Sequence, residues 1–153
     1  MDSIEKKNLE LEERISEFLH INADDEKRHN ALLNLKLVKC DFANSKIIFR
    51  FDVGGEWCLN PYGGIHGGVS CSIFDTSMGI GAVAIAGEYV TTTDLSVNFL
   101  KPMLGRHYDV VCEYTHVGNK IIRCNAKLIN IDTGELSTMA MAGFMKVKRT
   151  VVR

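Results

Sequence analysis

The alternation of apolar and polar residues predicts a helix at the beginning of the chain. Apolar side chains recur there at helical spacing, with glutamates and lysines between them, at Ile4, Leu11, Ile15 and Phe18. The predicted helix covers 3–20, and Asp2 or Ser3 can cap its first turn. A second, shorter helical turn is predicted near 24–32.

Most of the remaining chain has the pattern of β-strands. Strand-like runs separated by turn residues occupy 33–42, 46–53, 89–100, 107–117, 120–131 and 135–149. The fifth run alternates cleanly, which puts Ile122, Cys124, Ala126 and Leu128 on one face. In the third run, the same rule puts Thr92, Asp94, Ser96 and Asn98 on one face. The last four runs read as an antiparallel meander, with Gly118-Asn119 as one of its turns.

A long apolar segment, HGGVSCSIFDTSMGIGAVAIAG, interrupts the strands. It is too long for one strand, and we expect a helix from about 66 to 86. Asp75 is its only side chain charged at pH 7, and no basic residue lies within two helical turns of it. An isolated carboxylate in an apolar environment is costly, so Asp75 is a candidate functional group.

The order of elements predicts an α+β fold. A long apolar helix beside a mostly antiparallel sheet is buried only if the sheet curls around it. We expect one domain overall, with an N-terminal helical segment at 1–32 followed by the sheet-and-helix domain at 33–153.

Composition excludes several classes of function. The chain has 153 residues, a net charge of −1 and no long run of one sign, so it lacks the basic surface of a nucleic-acid or anionic-membrane binder. The polar beginning predicts no signal peptide, and the apolar segment carries Asp75, hydroxyls and glycines that argue against a membrane span. The 5 cysteines show no close metal-ligand spacing. We therefore expect a cytoplasmic protein with reduced thiols and no metal or cofactor.

The glycines before the apolar helix offer backbone N–H groups rather than a nucleotide motif. No Lys-Ser/Thr follows Gly63-Gly64-Ile65-His66-Gly67-Gly68, and the GxGxxG spacing is absent. A helix start nevertheless leaves unpaired donors at its positive dipole end, which can hold an anion or a developing oxyanion.

Geometry predicts that Gly67 and Asp75 of one chain do not serve the same reacting carbonyl. Eight residues of helix separate them by about 12 Å along the axis and some 80° around it. Two copies related by a dimer axis fit better, with each helix start facing the other copy's Asp75. The hypothesis is an active site shared between subunits.

The motifs resemble those of the hot-dog fold acyl-CoA thioesterases of the phenylacetate-pathway type. The matching residues are Asn60, His66-Gly67-Gly68, Asp75 and the strand TTTDLSVNFLKP, within a likeness that covers about 33–148. The resemblance implies a curved, mostly antiparallel sheet around one central helix, a homodimer and a dimer of dimers. It also implies hydrolysis of a small or medium acyl-CoA, aromatic ones included.

The resemblance also implies a role for each matching residue. The Gly67 N–H would hold the thioester oxygen, and Asn60 would position or polarise that carbonyl or orient water. Asp75 of the other subunit would be the general base or the nucleophile. His66 would orient Asn60 or lie near the leaving sulfur, and Thr92 stands near the place of a serine that is frequent in the family.

Further residues are expected to contact the substrate. Gly68 and Thr93 adjoin the motif residues, and Lys101, Arg106 and Lys120 are candidates for the CoA phosphates. Two alternatives of the same fold stay open, a non-catalytic acyl-CoA-binding protein and a hydratase or dehydratase.

Overall fold

The computed structural model describes residues 2–23 and 28–148. It contains three α-helices and six β-strands in these residues: α1 Ser3–Ala23, α2 His29–Leu33, β1 Lys36–Asp41, β2 Lys46–Asp52, α3 Gly67–Ala86, β3 Val90–Phe99, β4 His107–Val117, β5 Ile121–Asn130 and β6 Leu136–Lys146. Short 3-10 turns occupy Phe42–Asn44 and Glu56–Cys58. The predicted turn near 24–32 lies partly outside the described residues, and its described part is α2.

The six strands form one antiparallel sheet in the order β1-β2-β4-β5-β6-β3. The alternation that predicted the strands decides which face meets the core. On β5 the side chains of Ile122, Cys124, Ala126 and Leu128 are buried, as predicted, and the residues between them are exposed. The predicted run 33–42 begins as a strand only at Lys36, because Leu33 still belongs to α2 and Asn34 ends that helix in a left-handed conformation.

Helix α3 is the centre of the core. Nine of its residues are buried, and it contacts strands β2 to β6. By length and composition alone α3 could cross a membrane, but half of that window is buried inside the protein, as in the core helix of many globular domains. The buried hydroxyl of Ser77 donates to the Ile73 carbonyl at 2.7 Å, so the helix satisfies this polar group itself.

Helix α1 packs on α3 and on β1. Asp2 caps it by accepting hydrogen bonds from the backbone N–H groups of Ile4 and Glu5, both at 2.8 Å. Its apolar face buries Leu11 and Ile15. Arg14 donates to the Ala84 carbonyl at 2.8 Å, which ties α1 to the last turn of α3.

Candidate functional site

The loop before α3 is built around Asn60. The side-chain oxygen of Asn60 accepts hydrogen bonds from the N–H groups of Tyr62 at 2.9 Å and Gly64 at 3.2 Å. Gly63 has φ +83°, which favours glycine at the tip of this turn. Because the loop uses the amide oxygen, the NH2 of Asn60 is the group that this side chain can offer to a ligand.

The first turn of α3 has one backbone donor to offer. His66 is the N-cap, and its Nδ1 accepts from the Gly68 N–H at 2.9 Å. The N–H groups of Val69 and Ser70 donate to the His66 carbonyl. Within the described residues the Gly67 N–H has no hydrogen-bond acceptor, so of the helix-start donors it is the one available to a carbonyl oxygen.

A groove of about 490 Å³ opens beside this donor. Asn60 and Gly67 line it together with Tyr62, Lys101 and the end of β3 at Phe99. A Cβ on residue 67 would lie 3.3 Å from the Phe99 ring, so glycine lets this ring pack close to the start of α3. The groove therefore combines two N–H donors with apolar walls, a suitable arrangement for a polarised carbonyl.

Asp75 lies in a different cavity. Its side chain is half-buried, and Oδ1 accepts a hydrogen bond of 2.7 Å from the Thr92 hydroxyl on β3. The cavity measures about 280 Å³ and is lined by apolar groups from α1, α3, β3 and β6 and also by the hydrogen-bonded side chains of Thr76 and Asn30. The sequence predicts that Asp75 has no partner on its own helix. In the structure its partner is Thr92, which lies on strand β3.

A β-bulge places Thr92 on the helix side of the sheet. The register of β3 with β6 shifts between Thr92 and Asp94, so Thr92 pairs with Phe144 and Asp94 with Gly143. Asp94 accepts a hydrogen bond of 2.7 Å from Arg123, whose side chain is on the outer face. The prediction that Thr92 shares a face with Asp94, Ser96 and Asn98 is therefore wrong, because the bulge interrupts the alternation.

Thr93 occupies the bulge and does not face Asp75. Its hydroxyl donates to Asp94 at 2.8 Å, and this hydrogen bond, followed by the Arg123 interaction, lowers the pKa of Asp94. The prediction that Thr93 and Gly68 contact substrate stays a prediction. In the described structure, the Thr93 hydroxyl and the Gly68 N–H serve intramolecular hydrogen bonds.

The candidate cations occupy opposite ends of the sheet. Lys101 lines the Gly67 groove and pairs with Glu135 at 2.7 Å, and Arg106 is exposed in the loop that follows. Lys120 lies beyond the far end of β4, about 35 Å away for a strand of this length. One chain therefore does not bring Lys120 to a ligand held by Lys101 and Arg106.

The two half-sites stand at opposite ends of β3. Phe99 ends the strand in the Gly67 groove, whereas Val90 and Thr92 begin it in the Asp75 cavity. Among the described residues, none lines both cavities. Among residues 2–23 and 28–148, no group of three or more His, Cys, Asp or Glu side chains is placed to hold a metal ion.

The walls of the Asp75 cavity include residues that sequence reasoning did not assign to a site. Phe18 of α1 and Phe144 of β6 line it opposite the carboxylate. Phe18 belongs to the apolar face that predicted α1, but that periodicity shows only that the residue packs inward. Which side chains lie next to Phe18 depends on where α1 packs against the rest of the protein.

Comparison with known families finds a match in the part of the chain that carries the candidate site. Residues 62–137 match the model of the Thioesterase superfamily. The matched segment includes His66, Gly67, Asp75 and Thr92 and begins two residues after Asn60. No curated protein matches the chain.

Solved structures of similar fold cover nearly the whole chain. The PaaI protein of the E. coli phenylacetic acid degradation operon is 14% identical with a TM-score of 0.79, over 94% of this chain and 97% of that one. Zebrafish thioesterase superfamily member 2 is 15% identical with a TM-score of 0.76, over 87% and 96%. A thioesterase from Haemophilus influenzae is 16% identical with a TM-score of 0.73, over 84% and 88%. At these identities the likeness establishes the fold, and the predicted hot-dog fold is confirmed.

Proposed function

We propose that this protein is an acyl-CoA thioesterase whose active site joins the Gly67 groove of one subunit to the Asp75 cavity of another. The observation that carries the proposal is the separation of an unpaired oxyanion donor and a positioned carboxylate along one helix. Either half alone lacks a group that hydrolysis needs. Together they supply carbonyl polarisation and a base or nucleophile.

The exposed edge of the sheet supports a particular pairing of subunits. β3 is an edge strand, and beyond the bulge it runs regularly from Asp94 to Phe99. Asp94, its only charged residue, is paired with Arg123, so few charges oppose the addition of a second strand. Antiparallel pairing of two β3 strands about a two-fold axis places the Phe99 end of one beside the Val90 end of the other.

This pairing brings complementary half-sites together. Each Gly67 groove then adjoins the Asp75 cavity of the partner, which satisfies the geometric requirement that one helix cannot meet. The same rotation moves Lys120 of the partner subunit to the end of the dimer that carries Lys101 and Arg106. Cations from both subunits can then contact the CoA phosphates.

The proposed chemistry uses only groups at these positions. The thioester oxygen accepts hydrogen bonds from the Gly67 N–H and the Asn60 NH2, which stabilise the negative charge that develops on it. Asp75 removes a proton from water as the water oxygen bonds to the carbonyl carbon. The C–S bond then breaks, and the CoA thiolate takes up the proton. In the alternative route, Asp75 attacks the carbonyl, expels the thiolate and forms a mixed anhydride that water hydrolyses.

The basic test is release of CoA from a panel of acyl-CoA esters, followed with a thiol reagent. Release supports a thioesterase, saturable binding without release indicates an acyl-CoA-binding protein, and a change in enoyl absorbance indicates a hydratase. Asp75→Asn should lower kcat by at least about 100-fold while keeping the fold. Asp109→Asn is the matched control, because Asp109 is also a half-buried, hydrogen-bonded carboxylate but lines neither cavity. Turnover near the wild-type rate in Asp75→Asn refutes the catalytic role.

Subunit mixing tests whether the site is shared. Asn60→Asp retains the oxygen that the loop uses and removes the NH2 donor, and Asp75→Asn removes the carboxylate of the other half-site. In a heterodimer of the two variants, one site has both native halves. Random mixing should recover about a quarter of the wild-type activity, since half of the dimers are mixed and each has one intact site. No recovery from confirmed heterodimers would show that each chain uses its own Gly67 and Asp75.

A further inference from the structure

Apolar groups line one part of the cavity beside Asp75, and we call this part the chamber. Its apolar lining comes from Phe18 of α1, Gly79, Ile80 and Val83 of α3, Val90 of β3 and Phe144 of β6. The polar groups of the cavity are Asp75, Thr92 and the hydrogen-bonded pair Thr76 and Asn30. Its volume is about 280 Å³. A buried apolar cavity of about 150 Å³ is large enough for benzene, so this chamber has room for a one-ring acyl group or a medium-length aliphatic chain.

The two glycines inside α3 differ in what they make room for. A Cβ on residue 81 would run into the Tyr114 hydroxyl and lie 2.8 Å from its Cζ, so Gly81 permits close packing of the sheet on the helix. A Cβ on residue 79 would meet only the Phe144 ring at 3.5 Å, an ordinary contact. Close packing therefore does not require glycine at position 79, and the space beside Gly79 belongs to the cavity.

Phe18 lines this chamber where it borders a neighbouring cavity. This second cavity, of about 330 Å³, lies on its other side and is lined by residues that include Arg14, Ala84 and Tyr89. Phe18 and Val83 line both cavities, so they form the wall between them. The Phe18 ring meets the Tyr89 ring edge to face, with centroids 6.1 Å apart, and this contact helps to fix the position of the wall.

We infer that Phe18 and Gly79 determine the length of acyl chain that the enzyme accepts, an inference that rests on the proposed thioesterase function. The thioester carbonyl enters past Asp75 and Thr92, the acyl chain passes over Gly79, and its end meets Phe18. The preferred substrates are then acyl-CoAs with a compact acyl group. Through Phe18, helix α1 then contributes to the acyl-chain specificity of the enzyme.

Two substitutions change the chamber in opposite directions. Gly79→Ala adds a methyl group to its wall and should lower kcat/KM for the longest accepted ester about tenfold to 200-fold relative to a short one. Phe18→Ala connects the two cavities and should raise kcat/KM for esters too long for the wild type by a similar factor. Leu19→Ala is the matched control, since Leu19 is the neighbouring apolar residue of α1 and lines neither cavity.

The experiment measures kcat/KM for straight-chain esters from acetyl-CoA to palmitoyl-CoA, and for phenylacetyl-CoA, with each variant. Opposite shifts of the chain-length profile in Gly79→Ala and Phe18→Ala, with none in Leu19→Ala, support the inference. Uniform scaling of all esters overturns it. Gly79→Ala keeps the test decisive if Phe18→Ala disturbs α1, because alanine favours the helix. Absence of CoA release from every ester by the wild type refutes the proposed function itself, whereas release with unshifted profiles refutes only the role of Phe18 and Gly79.

Discussion

Replacing Gly81 by alanine should destabilise the protein, although alanine is the better helix former. Gly81 is buried in α3 against β2 and β4. The new Cβ would overlap the Tyr114 hydroxyl and lie 3.0 Å from Cδ1 of Ile47. The Tyr114 hydroxyl donates to the Met78 carbonyl at 2.8 Å, so the ring cannot retreat without losing a buried hydrogen bond.

The opposing free energies can be compared from the structure. Alanine in place of glycine stabilises a helix interior by about 1 kcal/mol. Overpacking of a dense core costs about 1–3 kcal/mol. Leaving the Tyr114 hydroxyl buried without an acceptor costs about 1–3 kcal/mol more. We expect a net decrease of about 1–5 kcal/mol in the free energy of unfolding, the sum of the last two effects less the first.

Urea denaturation of the wild type, Gly81→Ala and Gly79→Ala measures this difference. Gly79→Ala is the control for helix propensity, because its Cβ makes only an ordinary contact with Phe144. It should leave the free energy of unfolding unchanged or raise it by up to about 1 kcal/mol. Tyr114→Phe combined with Gly81→Ala should cost less than the sum of the single changes, since the hydroxyl is the atom that the new methyl group strikes. Equal stability of the two alanine variants would contradict the packing argument.

Two further predictions concern the site and the buried thiols. Thr92→Val removes the hydrogen bond to Asp75 and should lower kcat about tenfold to 100-fold, the range for a hydrogen bond to a charged group. Thr92→Ser keeps the hydroxyl and should keep kcat near the wild-type value. Equal kcat values for the two variants would mean that the hydroxyl does not position the carboxylate. Burial, with a smaller contribution from Glu12, raises the pKa of Cys40 to about 11. Between about pH 9 and pH 11 the folded protein therefore keeps a proton that the unfolded chain loses, so the free energy of unfolding should fall as pH rises through this window, and less steeply in Cys40→Ala.

The central helix could be predicted from the sequence because local signals and burial agree. The apolar segment predicted a helix at 66–86, and α3 covers Gly67–Ala86. His66 caps its start through a side-chain hydrogen bond, and Gly87 ends it with φ +67°. Both ends are fixed by residues adjacent in sequence, which a pattern can detect.

The bulge in β3 could not be predicted, because in a run of similar side chains the sequence does not show which residue is the extra one. Thr91, Thr92 and Thr93 are interchangeable in pattern, and only pairing with β6 decides which of them faces α3. The residues that form the wall of the chamber also could not be predicted, because tertiary packing decides them. Phe18 and Phe144 are distant in sequence, and they line one cavity only because α1 and β6 pack on α3.

The rigidity of α3 is the reason that we propose a shared site. A helix fixes the axial separation of Gly67 and Asp75 at about 12 Å, and no rearrangement short of unfolding changes it. The Thr92 hydrogen bond further ties the Asp75 carboxylate to β3. Because the groups on one chain cannot converge, the shortest route to a complete site is to add the complementary half from a second copy at the exposed strand. On this argument, a substitution that blocks pairing at the β3 edge should abolish turnover even though every proposed catalytic side chain is retained.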